Sequence, residues 1–486
     1  MPDIAEAYDL LVVGGGINGA SIARAAAVAG KRVLLVEQGD LAQATSSAST
    51  KLMHGGLRYL EYYEFKLVRE ALAERAIMLR TAPHIVRPLE FRLPHVPSMR
   101  PWPIVRLGLW LYDLFSLGGG LPRSRTIRLD DPALADRNAR GFSYWDGWVD
   151  DARLVVLNAL DAHEAGAEIA TRTRLLSAQR GRDHWTARLE DGAHQYCVQA
   201  RTIVNAAGPW VEEVLRERLG TNEGSRTRLV RGSHIVVKRC LGGDHAWLLQ
   251  QPDGRIVFAI PYLDDLTLIG TTDVGVSNAG EDRISQEEID YLIEATNRYL
   301  STPISTGAIV GDYAGIRPLV DDGTDAVSAV TRDYRLELNE DGAPLLSVFG
   351  GKITTARHLA EVAMERLGII GETTRERPLP GGGFNSFPGL LDEVRQRWPF
   401  LGERTAKRMA RAYGTRIAKI LGVAGCASEL GQNFGAGLSA REVDYLVQHE
   451  WARSADDILW RRSKLGYRMS NEQVAALDDY VRSLAA

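Results

Sequence analysis

The chain has 486 residues, 45% of them hydrophobic and 25% charged, with a formal net charge of −4; that length predicts two or three domains with ample core, and the slight acidic excess argues against bulk nucleic-acid binding. Its three cysteines, Cys197, Cys240 and Cys426, are far apart and form no CxxC pair, so neither a disulfide framework nor a zinc site is expected and a reducing cytoplasm suits the chain. The N-terminal stretch has no basic segment followed by an apolar one, as a secretory signal would, and no run reaches the about 18 apolar residues a spanning helix needs.

In chain order, Tyr8–Val13 (YDLLVV) predicts a buried strand, Ile17–Ala29 a helix with a small apolar face, and Lys31–Glu37 a second strand, together a βαβ unit. Pro83–Pro103, rich in Pro and Arg, is expected to leave this first domain. Arg100–Phe115 (RPWPIVRLGLWLYDLF) is basic, aromatic and largely apolar. It reads either as a helix lying in a membrane interface or as a core-facing cap helix. Asp150 and Asp151, ahead of a helical pattern, read as N-caps. A strand–turn–strand is predicted around Leu175–Gly192, a buried strand at Arg201–Ala207, and strands of a second, mostly antiparallel sheet at His234–Lys238, Ile256–Ile260 and Leu266–Gly270. Leu345–Phe349 returns as a buried strand before two glycines and a helix. Pro378–Gly383 (PLPGGG) reads as a linker, and residues 390–486 as helical.

The fingerprint Gly14-Gly15-Gly16-Ile17-Asn18-Gly19 sits between strand and helix. There the glycines permit a tight turn, close approach of a pyrophosphate and helix–sheet packing, and the helix N-terminus offers N–H groups to phosphate. Glu37, ending the second strand, is placed to accept from a ribose diol and to repel a 2′-phosphate. FAD and NAD share this pattern. Two segments favour FAD: the hydroxyl-rich Thr45-Ser46-Ser47-Ala48-Ser49-Thr50-Lys51, and Phe349-Gly350-Gly351-Lys352-Ile353-Thr354-Thr355, a strand–helix junction that can stabilise charge at a flavin edge. The expected cofactor set is Gly14, Gly16, Asn18, Gly19, Glu37, Thr45, Ser46, Ser47, Ser49, Lys51, Leu52, Leu175, Ala207, Gly208, Gly350, Gly351, Lys352 and Thr354.

The stretches GGGINGA, ATSSASTKLMHGGLRYLE, WVDDARLV, NAAGPWV, RGSHIVV, IGTTD, GIRPL, TRDY and LLSVFGGKITT resemble the FAD-dependent, respiratory glycerol-3-phosphate dehydrogenases of bacteria, within the D-amino-acid-oxidase-like flavoproteins. The likeness extends to HEWARSADDILWRRSK in the tail. It implies a discontinuous Rossmann-like FAD-binding domain (1–90, 146–230, 311–375), an antiparallel-sheet substrate domain (91–145, 231–310) and a C-terminal helical domain (385–486), an α/β plus α architecture. The implied reaction oxidises sn-glycerol 3-phosphate at C2 to dihydroxyacetone phosphate, with hydride passing to flavin N5 and electrons to membrane ubiquinone. An oxygen-using, peroxide-forming oxidase is the alternative. Implied too are peripheral attachment to the lipid surface at the cytoplasmic face of the inner membrane and no nucleic-acid partner; the tail is open to a homodimer interface or a lid.

Such a reaction needs cations for a phosphate dianion, a base for the C2 hydroxyl and stabilisation of a developing alkoxide. The family match selects Arg58, Arg317 and Arg332 as phosphate cations, with the neighbouring Tyr59 as a hydroxyl donor. His54, followed by two glycines, and His234, on a strand, are equal candidates for the base, since neutral imidazole suits alcohol deprotonation. Lys352 is the cation expected beside flavin or substrate oxygen. Asp273 reads as structural, and Arg461, Arg462 and Lys464 have no assigned role.

Overall fold

The computed structural model describes residues 7–96, 100–136, 139–192, 194–221, 224–321 and 333–485. Ala7–Val13 is a central strand of the first sheet, flanked in parallel by Val33–Glu37 and His194–Asn205. A strand covered on both faces needs no polar alternation, which is why this segment is continuously apolar. The order across the sheet is Arg335–Asn339, Leu345–Phe349, His194–Asn205, Ala7–Val13, Val33–Glu37, Glu168–Thr171, with only the first antiparallel to its neighbour. Helices Ile17–Val28, Asp151–Glu164 and Ala356–Arg366 cover one face. On the other, Trp185 and Leu189 of the hairpin Thr173–Arg180/Trp185–Asp191 pack with Leu11, Leu34 and Val211.

The second sheet runs Val274–Gly275, Thr227–Lys238, Leu266–Gly270, Ile256–Tyr262, Ala246–Gln250, Val86–Pro94, Arg140–Val149, Leu52–Met53, with Ile309–Val320 against Thr227–Lys238 and Arg125–Arg128 against Arg140–Val149. It is antiparallel except where Ala246–Gln250 meets Val86–Pro94. The sequence boundaries near residues 90, 146 and 311 therefore fall inside strands. Val86–Pro94, Arg140–Val149 and Ile309–Val320 each run as one hydrogen-bonded ladder in the second sheet. A composition change along the chain carries no information about which sheet edge a strand pairs with.

Pro378–Gly383, read as a linker, is packed between the domains it connects. Leu379 to Gly382 are buried, and the Leu379 N–H donates to the Thr81 carbonyl at 2.8 Å. At Gly381, φ is +89° and a Cβ would fall 2.1 Å from the Tyr413 carbonyl oxygen. The glycines let the helical domain sit directly on the first domain. That domain comprises Phe387–Arg397, Glu403–Tyr413, Ala440–His449 and Asn471–Ala485 around one apolar cluster, plus an unanticipated hairpin of Asn433–Gly435 and Leu438–Ser439. Asp150 caps Asp151–Glu164 as expected, accepting from the Arg153 N–H.

Candidate active site

A cleft of about 560 Å³ opens at the carboxyl ends of Val33–Glu37, Ala7–Val13 and His194–Asn205, the last two being the pair between which the strand order reverses. Of the residues expected to hold a dinucleotide, Gly14, Gly16, Asn18, Glu37, Thr45, Ser46, Leu175, Ala207, Gly208, Gly350 and Gly351 line it. Gly19 lies behind them: a Cβ there would fall 1.9 Å from the Gly14 carbonyl oxygen, so its role is to seat the helix on the turn. Glu37 accepts from the Gly15 N–H at 2.7 Å and the Gly39 N–H at 2.8 Å. Burial pushes its carboxyl pKa up, outweighing those two N–H donors, which favour the charged form. Asn18 donates to the Gly350 carbonyl at 3.0 Å, tying the first fingerprint to the distant FGGK turn, while its buried Oδ1 has no hydrogen-bond partner in the chain. A fixed turn, an acidic residue at the ribose position and an orphaned acceptor fit a dinucleotide such as FAD. Gln43, Thr173, Arg174 and Trp210 also line the cleft. Gln43 stands in a connecting segment, Thr173 and Arg174 begin the strand Thr173–Arg180, and Trp210 ends the short helical turn Gly208–Trp210, so their proximity in sequence to Thr45, Leu175 and Gly208 was the signal for them.

The hydroxyl-rich segment divides its tasks. Ser46 Oγ accepts from the Ile17 N–H at 2.9 Å, at the helix N-terminus, and Thr45 Oγ1 donates to the Ile316 carbonyl at 2.6 Å. Ser47 Oγ donates to the Ala44 carbonyl at 3.3 Å. The side chains of Ser49 and Lys51 share a partner. Ser49 Oγ lies 2.8 Å from Asp151, and Lys51 Nζ 2.8 Å from the same carboxylate, in a fully buried pair. A buried ammonium must find a counter-charge, and Asp151 is the carboxylate within reach. Ser47 and Lys51 border an adjoining cavity of about 300 Å³ with Tyr313, Trp460 and Tyr467, which shares Gln43, Ala44, Thr45 and Trp210 with the cleft. Leu52 sits in the apolar core with Leu72 and Phe91, and Thr354 is buried; neither they nor Lys352 line the cleft.

At the Gly350–Gly351 end, the lining residues Pro318 and Gly351 are the chain neighbours of Arg317 and Lys352. The register places Gly270 between Phe258 on one neighbouring strand and His234 on the other. His54, half-buried, meets Phe258 edge-on with ring centroids 6.4 Å apart. His234 is fully buried, stacks on Tyr313 at 4.9 Å, and its Nε2 is 3.0 Å from Thr50 Oγ1. Burial first, then the positive charges of Arg317 and Lys51, hold its pKa well below the ordinary imidazole value, so it stays neutral. Arg317 pairs with Asp273 and donates to Thr271 Oγ1 at 2.9 Å, with its side chain still 26% exposed. Lys352 Nζ lies 4.0 Å from the centre of the Tyr59 ring. Under His54, the Gly55 N–H donates to Tyr112 Oη at 2.8 Å. Tyr112 in turn donates to Asp146, which is buried and paired with Arg75 at 2.5 Å. The Arg58 side chain and the whole of Arg332 lie outside the described residues. Among the described residues no cluster of His, Cys, Asp or Glu could hold a metal ion.

Residues 9–357 match the family model of FAD-dependent oxidoreductases, and residues 372–486 that of the C-terminal domain of alpha-glycerophosphate oxidase. The chain is 50% identical to a glycerol-3-phosphate dehydrogenase of Pseudomonas aeruginosa, over 99% of this chain and 96% of that one. It is 47% identical to the D-erythritol 1-phosphate dehydrogenase of Brucella abortus, over 98% of each. Among solved structures, the glycerol-3-phosphate dehydrogenase of Bacillus halodurans in complex with FAD aligns with a TM-score of 0.75 at 26% identity, covering 98% of this chain and 94% of that one.

Proposed function

Because the chain belongs to the FAD-dependent oxidoreductase family, we propose that it oxidises sn-glycerol 3-phosphate to dihydroxyacetone phosphate and delivers the electrons to a membrane quinone. The observation that carries this reading is the cleft lining, where Pro318 and Gly351 are the chain neighbours of Arg317 and Lys352, with Lys352 over the Tyr59 ring and Gly56, two residues after His54, packed against that same ring. Gly14, Gly16, Asn18 and Glu37 would hold the adenosine and pyrophosphate of FAD, and Gly350 and Gly351 would hold its flavin end. FAD supplies the two-electron acceptor; the chain binds, orients and deprotonates the substrate. Arg317, with Arg58 and Arg332, takes the phosphate, the geometry for which a guanidinium fork is suited. Tyr59 adds a hydroxyl donor.

Of the two candidate bases, His54 is the better one. His234 has no exposed surface and holds Thr50 instead, so it positions the loop that leads to His54. His54 takes the C2 hydroxyl proton, and Lys352 offsets negative charge on that oxygen. Anaerobic mixing of the purified protein with glycerol 3-phosphate is expected to bleach the flavin's visible absorption, and to do so faster than D-erythritol 1-phosphate does. No bleaching with either would sink the reading. Peroxide formation as fast as reduction of a soluble quinone analogue would move the assignment to an oxidase.

No helix among the described residues is long and apolar enough to cross a membrane. Helix Trp102–Phe115 buries Leu109 and Tyr112, yet leaves Ile104, Leu107, Trp110 and Leu114 each at least 42% exposed. It is therefore a cap on its inner face and an apolar stripe on its outer one. Phe65 stacks edge-on with both Tyr63, itself 79% exposed, and Phe115, which extends the stripe. The exposed Lys66, Arg69 and Arg100 accompany it. An aromatic and aliphatic face with nearby cations suits the interface of an anionic bilayer, and we assign it to peripheral attachment at the cytoplasmic leaflet. Leu107→Glu combined with Trp110→Glu is expected to release the protein from anionic liposomes in co-sedimentation while leaving its flavin bound. Unchanged sedimentation of the folded variant would refute the surface.

A further inference from the structure

The tail segment with no role in the scheme above, Asp457–Arg462, lies directly behind the cofactor cleft. Arg461 Nε and Arg462 Nη1 donate to the same Asp40 carboxylate at 2.5 and 2.6 Å, and Arg462 Nη2 reaches its other oxygen at 2.8 Å. Asp40 and Arg462 are both completely buried. One residue before Asp40, the Gly39 N–H donates to Glu37, and two after it, the Ala42 N–H donates to the Gly15 carbonyl at 3.1 Å. The loop that Asp40 anchors is thus one wall of the cleft, at its Glu37 end.

The adjoining wall is held by the same segment. Asp457 accepts from Arg172 at 2.6 Å and from Arg461 at 2.5 Å. Arg172 leads into Thr173, Arg174 and Leu175, which line the cleft, and its own N–H donates to the Gly39 carbonyl at 2.9 Å. Arg462 is itself held, donating to the Glu450 carbonyl at 2.6 Å. A buried carboxylate such as Asp40 is stable only while its cations stay in place. Both walls of the ribose end therefore depend on side chains more than 280 residues away in the chain.

We propose that Asp457, Arg461 and Arg462 are positioning residues for the adenosine diphosphate half of FAD, which makes the C-terminal domain a back-plate that retains the cofactor. This rests on the reading that adenosine lies at the Glu37 end. The charge-assisted bonds set the spacing of the Gly39–Gln43 and Thr173–Leu175 walls, and hence how well Glu37 meets the ribose.

The test measures FAD and ADP affinity of full-length apoprotein for wild type, Asp457→Asn, Arg461→Gln and Arg461→Lys. Asp457→Asn and Arg461→Gln are expected to weaken FAD and ADP in parallel, each by about tenfold. Arg461→Lys, which keeps the charge, should recover part of that loss. The visible flavin bands of the reconstituted variants should not move, because the isoalloxazine end is untouched. Affinities within about twofold of wild type in both Asp457→Asn and Arg461→Gln, or FAD weakened with ADP unchanged, would overturn the proposal. Failure of ADP to bind wild-type apoprotein at all would instead overturn the orientation of FAD on which it rests. If Asp457→Asn does not fold, the partly exposed Arg461 carries the comparison alone.

Discussion

Replacing Arg317 by methionine is expected to lower kcat/KM for glycerol 3-phosphate by roughly 10²–10³, through loss of a guanidinium that is already oriented before substrate arrives. Its strand, Ile309–Val320, is pinned by a long antiparallel ladder to Thr227–Lys238. Pro318 follows it and disfavours a helical conformation at Arg317. The guanidinium is held on its protein side by Asp273 and Thr271, so little side-chain entropy remains to be lost on binding a phosphate. Arg317→Lys restores a point charge without the fork and should recover only part of the loss. The defect should appear mainly in KM, and competitive inhibition by inorganic phosphate should weaken with it, because the contact is made in ground and transition states alike. A kcat/KM within about threefold of wild type would remove Arg317 from the phosphate site. The same substitution removes a positive charge that depresses the His234 pKa, so that pKa is expected to rise, as imidazole NMR titration can follow.

What the sequence conveyed, and what it withheld, follows from the range of each interaction. The glycine fingerprint was legible because its constraints are local: Gly19 must be bare to clear Gly14, five residues away. The buried strands were legible because a parallel strand covered on both faces is apolar throughout. The target of a hydrogen bond is not local. The hydroxyls of residues 45–51 announced donors and acceptors but not where they point. The side chains of Ser49 and Lys51 are bonded to Asp151, about a hundred residues on. Asp40 and Arg462 are separated by 422 positions, and nothing beside either one predicts the other. The same holds for His54 and His234. Composition made them equivalent, and only the packing against Tyr313 and Gly270, which buries His234 completely, separates their tasks. The glycine-rich Pro378–Gly383 was legible as a linker, but a pattern common in free linkers here permits backbone contact between two domains.

The largest effect on stability is expected where that contact is reinforced by charge. Arg153 and Glu450 are 1% and 0% exposed, and the guanidinium meets the carboxylate through both Nη1 and Nη2. Arg153 begins the helix that covers the first sheet, and Glu450 follows Ala440–His449 in the C-terminal domain, so the pair joins the two. Burial disfavours the arginine's charge, but Glu450 beside it more than compensates and raises its pKa. Arg153→Leu should therefore leave a carboxylate with no counter-charge at zero exposure and destabilise the fold by about 3–5 kcal/mol. Glu450→Leu should cost somewhat less, because Arg153 keeps the Ala412 carbonyl at 3.0 Å and the face of Tyr413 at 5.1 Å. The double variant should be more stable than either single one, since a matched apolar pair avoids burying one charge alone. Urea unfolding of the four proteins completes the cycle. A double variant as unstable as the sum of the singles would mean that packing, not charge pairing, holds this seam. Because the same domain holds Asp40 through Arg461 and Arg462, loosening the seam should also speed FAD release on warming, before the first sheet itself unfolds.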